Sequence, residues 1–216
     1  MDRPVPAPLV RAFLAAEGGI YALFLALDLT VQGVGSVPVK YAGVLLCLAL
    51  SLLCGDRLVP LALALTACAD WFLLVRNDHY ALGVALFLCV QTVYFLRLRR
   101  DGTGNAWPLR SGLALLAGLA VYALRMASPL NLLAALYFSQ LLSNAVLAWA
   151  PGGASRRRFA LGLTLFVGCD VCVGLFNVLP PASPLYAAVS VGMWLFYLPS
   201  QVLITLSALP ETKEAF

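Results

Sequence analysis

Two aspartates, Asp70 and Asp170, lie within long apolar stretches of the sequence, ALTACADWFLLV and LFVGCDVCVGLFN. An ionisable side chain in a membrane-spanning helix costs about 2.5–3.5 kcal/mol, and such residues usually face a bundle interior or a water-filled cavity. Each aspartate follows a basic residue, Arg57 or Arg158, by roughly 18–20 Å of helix. We therefore expect both carboxyl groups at one depth, in the outer half of a membrane, where small neighbouring residues allow close helix packing.

A pair of buried carboxyl groups is suited to general acid–base chemistry. One carboxyl group donates a proton, and the other, as a carboxylate, stabilises positive charge or activates water, as in glycoside hydrolysis. The sequence leaves open which aspartate takes which role. The structural alternative is that the two acids only stabilise polar contacts between helices. We predict that Asp70 and Asp170 are catalytic.

Cys169 and Cys172 flank Asp170 with the CxxC spacing of redox and metal sites. A zinc site needs four ligands, and the sequence has neither a second CxxC pair nor a Cys/His cluster. Its one histidine, His79, falls in a predicted loop. Free cysteine is a common small apolar residue in protein interiors. The sequence therefore assigns the chemistry to Asp170 and predicts no metal site.

The composition is that of an integral membrane protein. Of the 216 residues, 62% are hydrophobic and 11% are charged, and the mean hydropathy is +0.92. The alternating ten-residue segments of a β-barrel are missing, so the predicted class is an all-α polytopic bundle in one domain, 1–216. The apolar stretches long enough to span, at about 17–25 residues each, number eight: 9–30, 37–54, 57–75, 80–97, 109–126, 130–149, 158–178 and 184–208.

The basic residues predict the orientation of this bundle. With eight spans, one side of the membrane carries most of the 14 basic residues, and the other carries only Lys40, Arg76 and Arg125. Because cytoplasmic loops are rich in Lys and Arg, both termini are predicted to be cytoplasmic. Contacts with membrane lipids explain the net charge of +4 without nucleic acid. The residues on the cytoplasmic side are Arg3, Arg11, Arg57, Arg97, Arg99, Arg100, Arg110, Arg156, Arg157, Arg158 and Lys213.

Further polar residues fall inside or beside the predicted spans, and we treat them as candidates for substrate binding. Lys40 and Asp28 face each other across a short loop, where they either form an ion pair or allow Lys40 to bind a lipid phosphate. Asn144 lies one helical turn from Gln140, and interhelical hydrogen bonding is the favoured alternative for both. The remaining candidates are Gln91, Tyr94, Asn177, Tyr197 and Gln201.

Several motifs occur in an order that resembles one family of membrane proteins. Lys40 precedes a Leu-rich helix, ADWFLLV surrounds Asp70, and LGLTLFVGCDVCVG surrounds Asp170. The closing helix reads WLFYLPSQVLITLS, and the fourth carries Gly83, Phe87, Gln91 and Tyr94. On these residues the chain resembles the YhhN/TMEM86 family. Its departures are Tyr41, Ala69, Gln91 and Cys169, which stand where the family shows Pro, Gly, often His, and Ser.

The resemblance implies a lysoplasmalogenase, an enzyme that hydrolyses the vinyl ether bond of a lysophospholipid to a fatty aldehyde and a glycerophospho-base. It implies a lysophospholipid as the substrate partner, and the Asp70–Asp170 pair predicted from the residues fits this chemistry. The sequence has no nucleotide-binding loop, Ser-His pair or metal cluster, so we expect a reaction without a cofactor. We expect the protein in a bacterial cytoplasmic membrane. The alternatives are a small-solute or proton-coupled transporter that uses the same acids, and a lipid-binding scaffold without activity.

Overall fold

The computed structural model describes residues 5–30, 35–103 and 105–210, and every regular element in these ranges is a helix. This confirms the all-α class and gives eight α-helices in the described chain. The basic residues Arg3 and Lys213, used above for orientation, lie outside these ranges. The helices are α1 (Ala7–Thr30), α2 (Val37–Ser51), α3 (Leu58–Asp70), α4 (Tyr80–Arg100), α5 (Trp107–Ala123), α6 (Pro129–Ala148), α7 (Ala154–Val178) and α8 (Pro184–Leu206); a π-helical segment, Trp71–Arg76, continues α3.

Six of these helices are long and apolar enough to cross a membrane: α1, α3 with its π-helical continuation, α4, α6, α7 and α8. The other two, α2 and α5, are apolar but only 15 and 17 residues long. A straight crossing takes about 20 residues. The chain is therefore a membrane-helix bundle, and its eight crossings and cytoplasmic termini stay predictions.

Several helices begin or end at residues other than those predicted from the apolar stretches, because the backbone conformation, and not hydropathy, sets the helix end. The fifth stretch was expected to run to residue 126, but α5 ends at Ala123 because Arg125 adopts a left-handed conformation with φ of 56°. The second stretch stops being helical at Ser51 rather than at residue 54. Conversely, α7 begins at Ala154, ahead of its apolar stretch, and carries Arg156 and Arg157 in its first turn.

The helices pack as a closed ring with two outer members. Around the ring, α2 contacts α3, α3 contacts α4, α4 contacts α6, α6 contacts α7, α7 contacts α8, and α8 returns to α2. Outside the ring, α1 packs on α2 and α8, and α5 packs on α6 alone. Side chains that point into the ring can therefore meet from six helices, and this interior contains both predicted catalytic acids.

Two glycines allow close contacts beside the site. At Gly162 on α7, a Cβ atom would lie 3.1 Å from the backbone oxygen of Ser200 on α8, so only glycine lets these two helices approach so closely. At Gly83 on α4, a Cβ atom would overlap the side chain of Leu73. Because Gly83 has no side chain, the π-helical segment that directly follows Asp70 can pack closely against α4.

An ion-pair cluster holds one end of the bundle together. Asp56, between α2 and α3, accepts hydrogen bonds from Arg97 at 2.8 Å and from Arg100 at 3.0 Å. Arg97 also donates to the hydroxyl and the carbonyl of Ser207, just beyond α8. Burial alone would raise the pKa of Asp56, but the Arg100 hydrogen bond and the charge of Arg97 hold it below its usual value.

Candidate functional site

Asp70 is the last residue of α3 and is only 5% exposed. Its Oδ2 accepts a 2.6 Å hydrogen bond from the hydroxyl of Tyr197 on α8. The helix changes from α to π directly after Asp70. Short π-helical segments are rare and frequently occur at functional sites, so the local backbone and the buried acid point to the same place.

Asp170 on α7 approaches Asp70 closely enough for the two carboxyl groups to interact electrostatically. Asp170 is half-buried, and its Oδ2 is shielded and has no hydrogen-bond partner within the described ranges. The hydroxyl of Tyr137 on α6 faces this carboxyl group but lies outside hydrogen-bonding geometry. The structure thus brings the predicted pair together, with one tyrosine beside each acid; their catalytic role stays a prediction.

Aromatic rings hold the two tyrosines in place. Tyr197 packs edge-on against Phe166 and Trp194, with ring centroids 5.6 and 5.4 Å apart. Tyr137 lies 5.7 Å from Phe87, which in turn contacts Phe166 at 5.7 Å. The result is an apolar wall around two carboxyl groups, a setting in which charge–charge interactions are strong because water is scarce.

The two cysteines of the CxxC motif differ in position. Cys169 is buried next to the acid pair, and Cys172 is half-buried against Gly192. All six cysteines are free thiols. Among the residues that the structure describes, no group of three or more His, Cys, Asp or Glu side chains could hold a metal ion.

A second polar layer connects α4, α5 and α6. The Asn144 amide donates to the backbone oxygen and to the side-chain oxygen of Gln91, at 2.9 and 3.0 Å. Its own oxygen accepts from Arg110 at 2.7 Å, and Arg110 also donates to Gln140 at 3.1 Å. Asn144 and Gln140 therefore form the interhelical hydrogen bonds expected of them. Gln91, a candidate for substrate binding, is one of their partners, and Arg110 is a further member that the candidate set did not include.

A third group of buried polar atoms lacks partners. The hydroxyl of Tyr94 and both amide atoms of Gln201 make no hydrogen bond within the described part of the chain, although both side chains are fully buried. Glu17 on α1 is 4% exposed; its Oε1 accepts from the Cys47 thiol at 3.4 Å, while Oε2 is unpartnered among the described residues. Buried polar groups almost always have partners, so this region has the chemistry of a site for water or a polar ligand.

Glu17 is a further candidate on the sequence, although it was not assigned to catalysis or to substrate binding. Its sequence signal is an acid in the middle of an apolar span, the same signal that identified Asp70. It lies beside Gly18 and Gly19, but the cysteine that it contacts is 30 residues away. Its burial therefore depends on how α1 packs on α2, which the sequence of α1 alone does not determine.

Lys40 and Asp28 form the ion pair that was one of the two expectations. Their atoms are 2.6 Å apart, and Ser36 donates a further hydrogen bond to Asp28. Lys40 also lies over the ring of Trp194, at 4.6 Å from its centroid. Since Trp194 packs on Tyr197, this pair is linked to the acid site through one aromatic ring.

Asn177 is the candidate that the structure leaves outside the interior. Its side chain is exposed, and its amide donates back to the Val173 carbonyl on the same helix at 2.8 Å. Two surface cavities, of about 220 and 320 Å³, lie where α6 meets α7 and are lined by residues such as Arg156 and Gly152. Neither cavity includes Asp70 or Asp170 in its lining.

The motifs around Asp70, Asp170 and Tyr197 meet in this interior, and they are the motifs that carried the resemblance in the sequence. No curated protein and no solved structure matches the chain. The sequence model of the YhhN family matches residues 35–208, which include both acids, both tyrosines and seven of the eight helices, α2 to α8. The protein therefore belongs to the YhhN family.

Proposed function

We propose that the protein is a membrane-embedded hydrolase that cleaves the vinyl ether bond of lysoplasmalogens. The products would be a fatty aldehyde and glycerophosphoethanolamine or glycerophosphocholine. The observation that carries this proposal is the pair of carboxyl groups, Asp70 and Asp170, which interact electrostatically within a ring of apolar helices. Membership of the YhhN family is consistent with it.

The hydrogen bonds of the site suggest a role for each acid. Oδ2 of Asp70 already accepts a hydrogen bond from Tyr197, so this oxygen is not the one that donates a proton to a substrate. Oδ2 of Asp170 is shielded from solvent and has no hydrogen-bond partner in the described chain. We therefore assign Asp170 as the general acid and Asp70 as the carboxylate that stabilises charge and activates water.

The reaction needs only a proton and one water molecule. Asp170 transfers its proton to the alkenyl carbon remote from the ether oxygen, and the π electrons form the new C–H bond. The resulting oxocarbenium ion is stabilised by the Asp70 carboxylate, as in glycoside hydrolysis. Water adds to the cationic carbon and gives its proton to Asp70. The hemiacetal then breaks its bond to the glycerol oxygen, which takes the proton from Asp70 and leaves as an alcohol. The hemiacetal hydroxyl gives its proton to Asp170 as the C=O bond of the aldehyde forms, so both acids return to their starting states.

The deciding experiment measures aldehyde release from a vinyl-ether lysophospholipid by the purified protein in detergent. We expect release by the wild type and by the double variant Cys169→Ala/Cys172→Ala, and none by Asp170→Asn or Asp70→Asn. The cysteine variant is the matched control because its changes flank Asp170 on the same helix. Undiminished release by either aspartate variant, or none by the wild type, would reject the proposal.

A second candidate is proton-coupled transport of a small solute. The observation that favours it is Glu17, a third buried acid with an unpartnered oxygen in the described structure, together with Pro199 inside α8. Transporters often combine interrupted helices with membrane-embedded acids. Proton flux in liposomes that is lost in Glu17→Gln, with no aldehyde release by the wild type, would favour transport over hydrolysis.

The expected location is a bacterial cytoplasmic membrane with both termini in the cytoplasm. Of the residues described, Arg57, Arg97, Arg100 and Arg156 lie at or near helix ends on the predicted inner side, in agreement with the excess of basic residues in cytoplasmic loops. Reporter enzymes that are active on one side of the membrane only, fused at the C-terminus and in the connection after α5, test this orientation. Equal activity at both positions would contradict it.

A further inference from the structure

Arg110 is a buried cation that has no anionic partner among the residues that the structure describes. The residue is 4% exposed, and its guanidinium donates to the neutral oxygens of Gln140 and Asn144. One face of the guanidinium lies over the ring of Phe95, at 4.4 Å from the centroid. Its Nε has no hydrogen-bond partner, and no carboxylate in the described ranges lies within ion-pair distance of it.

The other buried cations of the described chain are both compensated. Lys40 pairs with Asp28 at 2.6 Å, and Arg97 pairs with Asp56 at 2.8 Å. Arg110 has no such ion pair within the described chain. It also cannot become neutral, because an arginine does not lose its proton in a protein. An unpaired buried charge is costly unless something compensates it, so the position of Arg110 calls for an anion that comes from outside the chain.

The direction of the side chain excludes simple contact with the membrane surface. Arg110 lies near the start of α5, roughly 5 Å along the helix, and its partners Asn144 and Gln140 lie roughly 6 and 12 Å from the end of α6 that packs beside it. A lysine or arginine that only relieves its charge extends toward the headgroup layer. Arg110 instead turns toward the bundle interior, so its anion has to reach inside as well.

The free edge of the guanidinium has the geometry for a phosphate. Nη1 donates to Gln140 and Nη2 donates to Asn144, while Nε, on the same edge of the guanidinium as Nη2, makes no hydrogen bond within the described chain. Two parallel N–H groups of one arginine bind two oxygens of a phosphate at once. A phosphate diester carries the single negative charge that would balance Arg110.

The position of Gln140 links this anion site to the acid pair. Gln140 is one helical turn, roughly 5 Å along α6, from Tyr137, which faces Asp170. In a lysophospholipid, three glycerol carbons separate the phosphate from the ether oxygen, so one molecule can contact groups on neighbouring turns of a helix. We propose that Arg110, held by Gln140 and Asn144, binds the phosphate of the lysophospholipid and places its vinyl ether at Asp170. The identity of the lipid rests on the proposed function; the anion site itself does not.

This assignment differs from the one that the sequence suggested. Lys40 was considered as the phosphate-binding residue, but its charge is neutralised by Asp28. By the order of the helices, Lys40 and Arg110 also lie at opposite ends of the bundle. Variants at these two positions therefore distinguish a lipid whose phosphate binds at Lys40 from one whose phosphate binds at Arg110.

The test measures binding to the full-length protein in neutral detergent, by calorimetry. The probe is a saturated alkyl-ether lysophospholipid, which has no vinyl group to protonate, and the phosphate-free probe is the corresponding alkylglycerol. We expect Arg110→Gln to weaken binding of the phospholipid about tenfold or more and to leave the alkylglycerol unaffected, with Arg110→Lys in between. Arg99→Gln, an exposed cytoplasmic-side change, is the matched control. Lys40→Gln should bind the phospholipid as the wild type does.

Other outcomes overturn the inference. The first is wild-type affinity for the phospholipid in Arg110→Gln, and the second is an equal loss of affinity for both probes. The third is a loss of affinity in Lys40→Gln instead. The fourth is displacement of the lipid by inorganic phosphate at the same concentration, which would identify free phosphate as the ligand. The proposed function fails separately. Phosphate-dependent binding without aldehyde release would reject the hydrolase and support the anion site. Aldehyde release with the same KM in Arg110→Gln and the wild type would support the hydrolase and reject the anion site.

Discussion

The hydroxyl of Tyr197 donates to Oδ2 of Asp70 across 127 residues of sequence, at 2.6 Å. The ring that carries this hydroxyl is fixed by Trp194 and Phe166. Three helices, α3, α7 and α8, therefore determine where the Asp70 carboxyl group points. A carboxylate that has to meet a short-lived cation gains from such fixed orientation, because its geometry needs no adjustment during the reaction.

Replacing Tyr197 with phenylalanine removes this hydrogen bond and keeps the ring contacts. Because a hydrogen bond to a charged group contributes about 1.5–3 kcal/mol, we expect kcat for aldehyde release to fall about 10- to 100-fold. Steady-state kinetics in detergent measures it. Tyr186→Phe is the control, since Tyr186 stacks on Phe176 away from the acids. A kcat equal to that of the wild type would show that the hydrogen bond has no part in turnover.

Replacing Tyr137 with phenylalanine should separate stability from activity. Its buried hydroxyl has no hydrogen-bond partner in the described chain, so its loss leaves no other group unsatisfied and Tm should stay the same or rise slightly. If the hydroxyl positions water or substrate at Asp170, the rate should fall about tenfold, the usual scale for one such contact. Thermal unfolding and aldehyde release, measured on the same preparation, give both results. A lower Tm with an unchanged rate would assign Tyr137 a purely structural role.

Gly83 should be required for the π-helical segment to fit against α4. A methyl group at this position would overlap Leu73, and such overpacking costs about 1–3 kcal/mol. We therefore expect Gly83→Ala to lower Tm and, because Leu73 follows Asp70 closely, to lower activity. The double variant Gly83→Ala/Leu73→Ala should recover part of both. If the second change gives no recovery, the overlap is not the cause of the loss.

The class of fold and the acid pair could be predicted from the sequence because both depend on local signals. Apolar length predicts helices, and an acid within such a length predicts a side chain that faces the bundle interior, as for Asp70 and Asp170. The helix ends could not all be predicted, since capping at Arg125 and the polar first turn of α7 follow from backbone conformation rather than hydropathy. The sequence also gave no sign of the π-helical turn after Asp70.

Contacts between distant segments account for the remaining differences. The sequence grouped Arg110 with the cytoplasmic basic residues because it stands at the end of a span. Its side chain, however, bonds to Asn144, 34 residues later in the chain. Asn177 was expected in the interior because it follows Asp170 by two turns, yet it faces outward. The packing of the six helices in the ring decides which face of each helix points inward. The sequence of a single span does not determine this packing.

The ion-pair cluster at Asp56 should make stability depend on pH. The pKa of Asp56 in the folded protein lies below its usual value, so its stabilising effect is complete above the unfolded value of about 3.9 and is lost as pH falls through the folded value. We expect Asp56→Asn to lose about 3 kcal/mol at pH 7, since it leaves the buried Arg97 without its anion. Thermal unfolding from pH 7 to pH 3 should show a smaller decrease in Tm for this variant than for the wild type. Asp101→Asn, at an exposed pair with Arg100, should follow the wild type, and parallel curves for Asp56→Asn and the wild type would exclude Asp56 as the titrating group.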